Sequence, residues 1–464
     1  MLSLIEKAKQ IRSSINVERL KVNGISRPRL SYEFIPSYPQ PFLLEPIDSD
    51  EIYPTQKKHK VALYLHVPFC TSIKTNQGNK SCLYCSYYKE QKPTPKKISS
   101  YLKAVKTELD LLLSNTQGIE ISSILIGGGT PTFLSTSHLE ELVDHLLKKL
   151  SPSERTQITI ESSPETLSEK KLEKLASMGV NRLNIGVQSF DDASLRHLRR
   201  RHDSNLAKYW LKNAKNYFSH VNTDLMFGLP GQNPPKFEED LEKIGMLRPE
   251  SLCVYQLRIT NPDCVDLFKK SPELFPTEED CLLMNIMQIE SLQERGYILN
   301  PTPYFSLSEN LQFQDVLNKW KRQGEILGIG PSAYSFINGT FYYNLRSLDK
   351  YVEALEQKQL PIWMGKRLSK EELIARKICL GIKNTEGISI EEVNSGFGIN
   401  IFYFYREETD KLQKCGLIEV EKGKLRLTYQ GILYADEVSR EFFTGQDKER
   451  LAKINLKYGC YFRD

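Results

Sequence analysis

Between residues 61 and 257, six short apolar runs alternate with segments of helical period. This alternation restricts the fold more than any other feature of the chain. The runs cover 61–67, 121–129, 157–163, 182–188, 221–228 and 251–257, with helical patterns at 99–115, 137–150 and 168–179 between them. Strands that are apolar on both faces and joined through helices imply parallel βαβ units. Six in succession fit a doubly wound sheet or a barrel. Polar or special residues fall at or just past the C-terminal strand ends: His66 and Cys70, Gly127 to Thr130, Glu161, Gln188, Asp224 and Gln256. That placement favours a barrel, where chemistry is built at this end.

The remaining sequence divides around this core. At about 150 residues per domain, 464 residues correspond to two to four domains. Residues 1–57 read as an N-terminal arm, with an amphipathic helix at 2–13 followed by a proline-rich stretch, either laid over the body or partly mobile. The core barrel is assigned to 58–265. An accessory region completing it spans 266–365, with a long helix at about 277–295 and a Gly-rich, strand-like passage at 324–336. Residues 366–464 form a C-terminal winged-helix-like domain and tail. Its helices are expected at 369–382, 388–398 and 405–416, and its hairpin at 417–428 with Lys422-Gly423 at the turn.

Composition removes several functions. The 63 basic and 58 acidic residues leave a formal charge of +5, too dilute to argue for nucleic acid. No segment approaches 18 consecutive apolar residues, so no membrane span is expected. Glu6, Lys7 and Lys9 stand where a signal peptide needs an apolar stretch, which points to a cytoplasmic protein. Nine cysteines, an odd number, argue against a disulfide framework and for reduced thiols or metal ligands.

Three of the nine, Cys70, Cys82 and Cys85, fall within the segment YLHVPFC-TSIKTNQGNKS-CLYCSYY. Three thiolates can hold an iron–sulfur cluster while leaving one iron position open, although a bare C-x-x-C equally suits a buried pair or half a zinc site. The motifs HVPFC, CLYC, GGGTPT (127–132), QITIESSPE (157–165), NRLNIGVQSF (181–190), RRH (200–202), DLMFGLPGQ (224–232) and GIGPSAYS (328–335) follow one another in order. Together with LRLTYQG (425–431) they resemble the radical S-adenosylmethionine (SAM) superfamily, and within it the oxygen-independent coproporphyrinogen III oxidase (HemN/HemW)-like family. The resemblance covers about residues 58–440. The superfamily spaces its cysteines as C-x3-C-x2-C, whereas here eleven residues separate Cys70 from Cys82. The inserted TSIKTNQGNKS is polar and reads as an exposed loop.

The resemblance implies an α/β fold, a partial (β/α)6 barrel with the arm and the winged-helix-like domain attached. It implies a [4Fe-4S] cluster on Cys70, Cys82 and Cys85, with SAM chelated on the open iron and cleaved to a 5′-deoxyadenosyl radical. The glycines 127–129 would bring backbone to the SAM amino group, and Tyr64 and Glu161 would contact the cluster-bound SAM. A second SAM would meet Tyr84, Gly129, Thr130, Gln188, Arg200 and Asp224, with Arg200 a planar fork for a carboxylate; Gly128 is a further cofactor-binding position. Tyr64, Glu161 and Arg200 are the expected catalytic residues. Arg199 and Arg201 are read as solvated, His66 and His202 as ordinary hydrogen-bonded residues, and the other six cysteines as core or surface thiols.

Within the family three behaviours compete: the oxidase proper, haem chaperones, and radical SAM methyltransferases or haem-degrading enzymes. Cys85-Ser86-Tyr87 lacks the oxidase's fourth cysteine, and Gln188-Ser189-Phe190 departs from its Gln-Asp-Phe. The chaperones share QSF but ligate haem through a His-Asn pair before a Trp; LQFQDVLNKW (311–320) holds no histidine. The expectation is an enzyme acting on a tetrapyrrole or similar flat conjugated substrate. A low-potential donor such as flavodoxin or ferredoxin would feed it, and Lys74 and Lys80 are possible docking cations for an acidic donor.

Overall fold

All six expected strands form, side by side in one sheet. The computed structural model describes residues 2–30, 37–48, 52, 59–75, 78–90, 93–115 and 118–453, and Cys460 lies outside them. The strands are β1 (His59–Val67), β2 (Ile119–Gly128), β3 (Gln157–Ser162), β4 (Arg182–Gln188), β5 (His220–Phe227) and β6 (Ser251–Gln256). They run parallel and in chain order. Leu183, Ile185 and Val187 of β4 are fully buried in a core shared with Leu139, Leu142 and Leu146 of the helix Thr136–Leu150. Side-chain caps fix where the connecting helices begin. Thr94, Ser135, Ser168, Asp203 and Asn233 each accept a first-turn N–H, typically worth about 1 kcal/mol apiece.

The accessory region extends this sheet at both edges. Its strands are β7 (Ile298–Leu299), β8 (Tyr304–Ser306), β9 (Glu325–Ile329), β10 (Tyr334–Ile337), β11 (Thr340–Asn344) and β12 (Ile362–Arg367). The full order is β12-β11-β10-β9-β1-β2-β3-β4-β5-β6-β8-β7. β9 pairs with β1 in parallel, Val61 opposite Glu325 and Leu65 opposite Ile329, so it is a seventh parallel strand beside the six read from sequence. Glycine makes this insertion possible. A Cβ on Gly328 would sit 2.2 Å from the Tyr334 carbonyl, and one on Gly330 would sit 2.4 Å from that of His66. The remaining edge strands are antiparallel, and β12 and β7 are not neighbours in the sheet. Among the described residues, the sheet is therefore open.

The arm's helix, Leu4–Ser13, begins at a capping box between Ser3 and Glu6. It lies on the buried helix Glu278–Glu294, with Ala8 fully enclosed and Lys7 2.8 Å from Glu290. The C-terminal part holds helices Lys370–Gly381, Ile390–Phe397 and Arg406–Lys414. A three-stranded sheet joins Ile388–Ser389 to the hairpin Ile418–Glu421/Lys424–Leu427, whose turn residues Lys422 and Gly423 both have positive φ. The segment between Cys70 and Cys82, read as an exposed loop, instead contains a short antiparallel hairpin, Ile73–Thr75 with Gly78–Lys80.

Candidate functional site

Side chains from both edges and the middle of the sheet line one cavity of about 450 Å³. Tyr64 of β1, Gly128 of β2, Glu161 of β3, Gln188 of β4, Asp224 of β5 and Tyr255 of β6 all reach it. The tip of β2 is folded against the chain following β1. The Gly129 and Thr130 amides donate to the Val67 and Phe69 carbonyls at 2.8 and 2.7 Å. A Cβ on Gly129 would meet the Phe69 carbonyl at 2.4 Å, and one on Gly128, where φ is +104°, would meet His66 Nδ1 at 2.6 Å. Bare backbone is what this geometry permits.

Two carboxyls occupy the middle of the cavity wall. The Gly128 amide donates to Glu161 Oε2 at 3.2 Å. Burial, with the nearby Asp224 charge, pushes the Glu161 carboxyl up to about 7. Asp224 accepts from Asn184 and Asn222, each at 3.1 Å. Its own carboxyl is raised, chiefly by burial, against those two amides. At the next strand Gln188 adopts φ +74° at a shift in the β4–β5 register and accepts from the Tyr255 hydroxyl at 3.2 Å.

The three clustered cysteines stand at the rim of this cavity. All are half-buried free thiols, and Cys85 and its neighbour Tyr84 line the cavity itself. Cys70 Sγ is 3.1 Å from Thr130 Oγ1. Burial raises the Cys70 thiol against that hydrogen bond, and the charges of Cys82 and Cys85 add to the rise. Arg200 reaches across, donating to Cys82 Sγ and the Tyr84 hydroxyl at 3.4 Å and to Ser163 Oγ and the Gly186 carbonyl at 2.6 Å. Among the described residues, its buried Nε has no hydrogen-bond partner. Burial disfavours the Lys89 ammonium, but Cys85, Cys82 and Cys70 outweigh it and hold the pKa above the ordinary value. Among the described residues, no three Cys, His, Asp or Glu side chains are arranged to hold a metal ion. An iron–sulfur cluster asks for less convergence than a single ion, because each thiolate binds a different iron. Three thiols flanked by two cations, beside a backbone edge free of side chains, fit such an anionic group.

Two expectations about charges need correction. Arg199 is not simply solvated: it has a positive φ and pairs with Asp263 at 2.5 Å. The same carboxylate takes Lys80 at 3.2 Å, so Lys80 is engaged within the molecule, whereas Lys74 is exposed. Arg201 is exposed and donates to the Ser72 carbonyl. The histidines are hydrogen-bonded. His66 contacts the Tyr64 hydroxyl through Nδ1 and the Tyr88 carbonyl through Nε2, and burial pushes it down to about 4. His202 contacts the Val187 carbonyl and lies 3.4 Å from Glu165. Cys264, Cys281, Cys379 and Cys415 are buried, as is Cys253, which also borders the cavity.

A model of the radical SAM superfamily matches residues 72–244, and one of the HemN C-terminal domain matches 368–434. The chain thus carries a radical SAM domain followed by a HemN C-terminal domain, and it is similar to proteins of the HemN and HemW type. It is 29% identical over 386 residues to the heme chaperone HemW of Bacillus subtilis, covering 82% of this chain and 98% of that one. It is 27% identical over 419 residues to the oxygen-independent coproporphyrinogen III oxidase of Synechocystis sp., covering 84% and 86%. The structure of coproporphyrinogen III oxidase (HemN) from Escherichia coli, a radical SAM enzyme, superposes with a TM-score of 0.77 at 23% identity. That match covers 90% of this chain and 99% of the other.

Sequence reasoning missed one wall of the cavity. Tyr334 of β10, Tyr343 of β11, Tyr304 of β8 and Phe313, Lys319 and Trp320 near or on the helix Gln314–Trp320 all border it. Lys319 Nζ is 2.7 Å from Asp315 and donates to the Tyr334 hydroxyl at 2.9 Å. Tyr334 falls within the GIGPSAYS motif, but Asp315 and Lys319, four residues apart in a helical stretch, follow a pattern that ordinarily marks a solvated face.

Proposed function

We propose that this chain is a radical SAM enzyme acting on a flat, conjugated tetrapyrrole. The observation that carries the reading is a single cavity bordered by a cluster cysteine, bare backbone, two buried carboxyls and an aromatic wall. Cys70, Cys82 and Cys85 would hold a [4Fe-4S] cluster, and when bound with SAM that group supplies one-electron cleavage of the sulfonium to an adenosyl radical. The edge from Gly128 to Thr130 offers backbone groups to the SAM amino end. Tyr64 and Glu161 border the place of the first SAM, and Asp224, Gln188, Tyr84 and Arg200 that of a second. Arg200 and Lys89 offset the charge of the thiolates. The enclosing aromatic side chains exclude water from the reacting groups and offer faces on which a conjugated ring stacks.

The test is anaerobic reconstitution with iron and sulfide, followed by reduction with dithionite in the presence of SAM. Samples without substrate, with coproporphyrinogen III and with haem are compared. Release of 5′-deoxyadenosine and methionine, stimulated by a tetrapyrrole, is the expected result; S-adenosylhomocysteine beside them would indicate methyl transfer. A chain that takes up no iron would overturn the proposal. The similarity to HemW supports a second reading, a haem-handling protein that binds cluster and haem without turnover. Stoichiometric haem binding with no SAM cleavage would establish it instead. The absence of histidine from 311–320 disfavours that outcome.

A further inference from the structure

Lys319 and Tyr334 have no part in the chemistry proposed above, yet they meet at the cavity wall. An ammonium has three N–H donors and no acceptor, so Lys319 must donate to Tyr334, and the phenol keeps its own O–H to donate elsewhere. A second N–H of Lys319 faces Asp315, and the third is left over. Among the described residues, neither side chain makes a further hydrogen bond. The Lys319 side chain is 14% exposed and that of Asp315 is 2% exposed. Burial disfavours the ammonium, but Asp315 and Tyr334 outweigh it and keep Lys319 charged. A fixed cation and a phenolic donor therefore share one small area of a largely aromatic wall.

We propose that Lys319 and Tyr334 form an anchor for a carboxylate of the substrate, with Asp315 positioning the lysine. This rests on reading the cavity as a tetrapyrrole site. A carboxylate accepts at both oxygens and donates at neither, which matches two adjacent donors of which one is charged. The methionine carboxylate of SAM is the other source of such a group, but it would be chelated beside the cysteines. Arg200 and Lys89 have cysteines among their strongest charge neighbours, whereas those of Lys319 are Asp315 and Tyr334. The Tyr334 ring lies 5.6 Å from that of Tyr64 and stacks on Phe341 at 5.8 Å. An acidic arm held here leaves the attached ring among aromatic faces and next to Tyr64.

The experiment titrates the full, cluster-loaded chain with coproporphyrin III, with its uncharged tetra-amide, and separately with SAM. Wild type should bind the tetra-acid more tightly than the amide. Lys319→Met should weaken the tetra-acid by roughly ten- to hundredfold, as loss of a charged hydrogen bond does, and leave the amide and SAM unchanged. Tyr334→Phe should cost a few-fold. Because Lys319→Met strands a buried carboxylate, the double variant Asp315→Asn/Lys319→Met serves as the check on folding and should give the same selective loss. Equal losses for acid and amide, a loss confined to SAM, or no change in either variant would overturn the anchor while leaving the tetrapyrrole reading intact. If wild type binds neither porphyrin, both fall.

Discussion

The cavity has two walls built on different principles. One consists of strand tips: Gly128, Glu161, Gln188 and Asp224 arrive from successive parallel strands, with the cysteines in the loop after β1. The other consists of flanks: Tyr334 and Tyr343 on antiparallel edge strands and Lys319 on a short helix. The first wall is rich in backbone groups, carboxyls and thiols. The second is aromatic, with a single buried ion pair. A parallel sheet delivers chemistry at its ends because every strand finishes on the same side, and the added strands then close the side of that space with surface that sorts substrates. If this division is right, damage to the first wall removes reactivity, and damage to the second changes only what is bound.

The largest effect should follow from the thiols. Cys82→Ala, Cys70→Ala or Cys85→Ala should each abolish SAM cleavage and strip iron from the reconstituted protein, whereas Cys253→Ala on the cavity's far strand should retain both. Iron and sulfide analysis beside a circular dichroism spectrum checks this; loss of iron from Cys253→Ala with its fold intact would blur the two walls. Next is Gly129→Ala. Its Cβ would stand 2.4 Å from a carbonyl, which cannot yield as a flexible side chain does, so the strand tip must move. SAM affinity should fall at least about tenfold by the cost of such strain with iron content unchanged, and Tyr343→Phe should leave SAM affinity within about twofold.

A smaller effect distinguishes the carboxyls. Glu161 is raised to about 7, so it is largely neutral at pH 6 and ionised at pH 8. SAM carries a sulfonium, so its affinity should rise across that interval. Glu161→Gln, neutral throughout, should flatten the profile and match wild type most closely at the acid end. A variant whose affinity still rises through pH 7 would assign the titration to another group.

What sequence could and could not convey follows the same division. Residues at strand ends are legible because the apolar run stops and a residue with evident chemistry follows, as at Glu161 and Asp224. The Gly-rich passage near 328 was visible only as strand-like, since the close approaches to Tyr334 and His66 that require its glycines come from other segments. Nothing local marks Lys319, because its partner Tyr334 is fifteen positions away on another element. In the run Arg199-Arg200-Arg201, nothing local says that the first binds Asp263, the second approaches Cys82 and the third faces out. Their partners decide it, and those come from other segments: Asp263 from a later helix and Cys82 from the loop after β1.

The insertion between Cys70 and Cys82 offers the subtlest test. Lengthening that loop from about four to about twelve residues costs on the order of 1 kcal/mol of closure entropy. Asp263 holds its far end through Lys80 and the turn after the helix Asp192–His197 through Arg199, while Thr71 at its near end donates to Glu165 at 2.7 Å. These ion pairs are one-quarter to one-third exposed, a setting in which each contributes about 0.2–1 kcal/mol, enough to offset the extra loop. Asp263→Asn removes both pairs and should therefore lower stability by about 0.4–2 kcal/mol. Removing the clamp should also slow the uptake of iron by a few-fold, because the cysteines must be gathered from a looser chain. High salt should reproduce part of that slowing in wild type and little of it in the variant. Once loaded, the variant should bind SAM as wild type does, since Asp263 does not border the cavity. A matching loss of SAM affinity would instead make the insertion part of the reactive wall and move the boundary between the two.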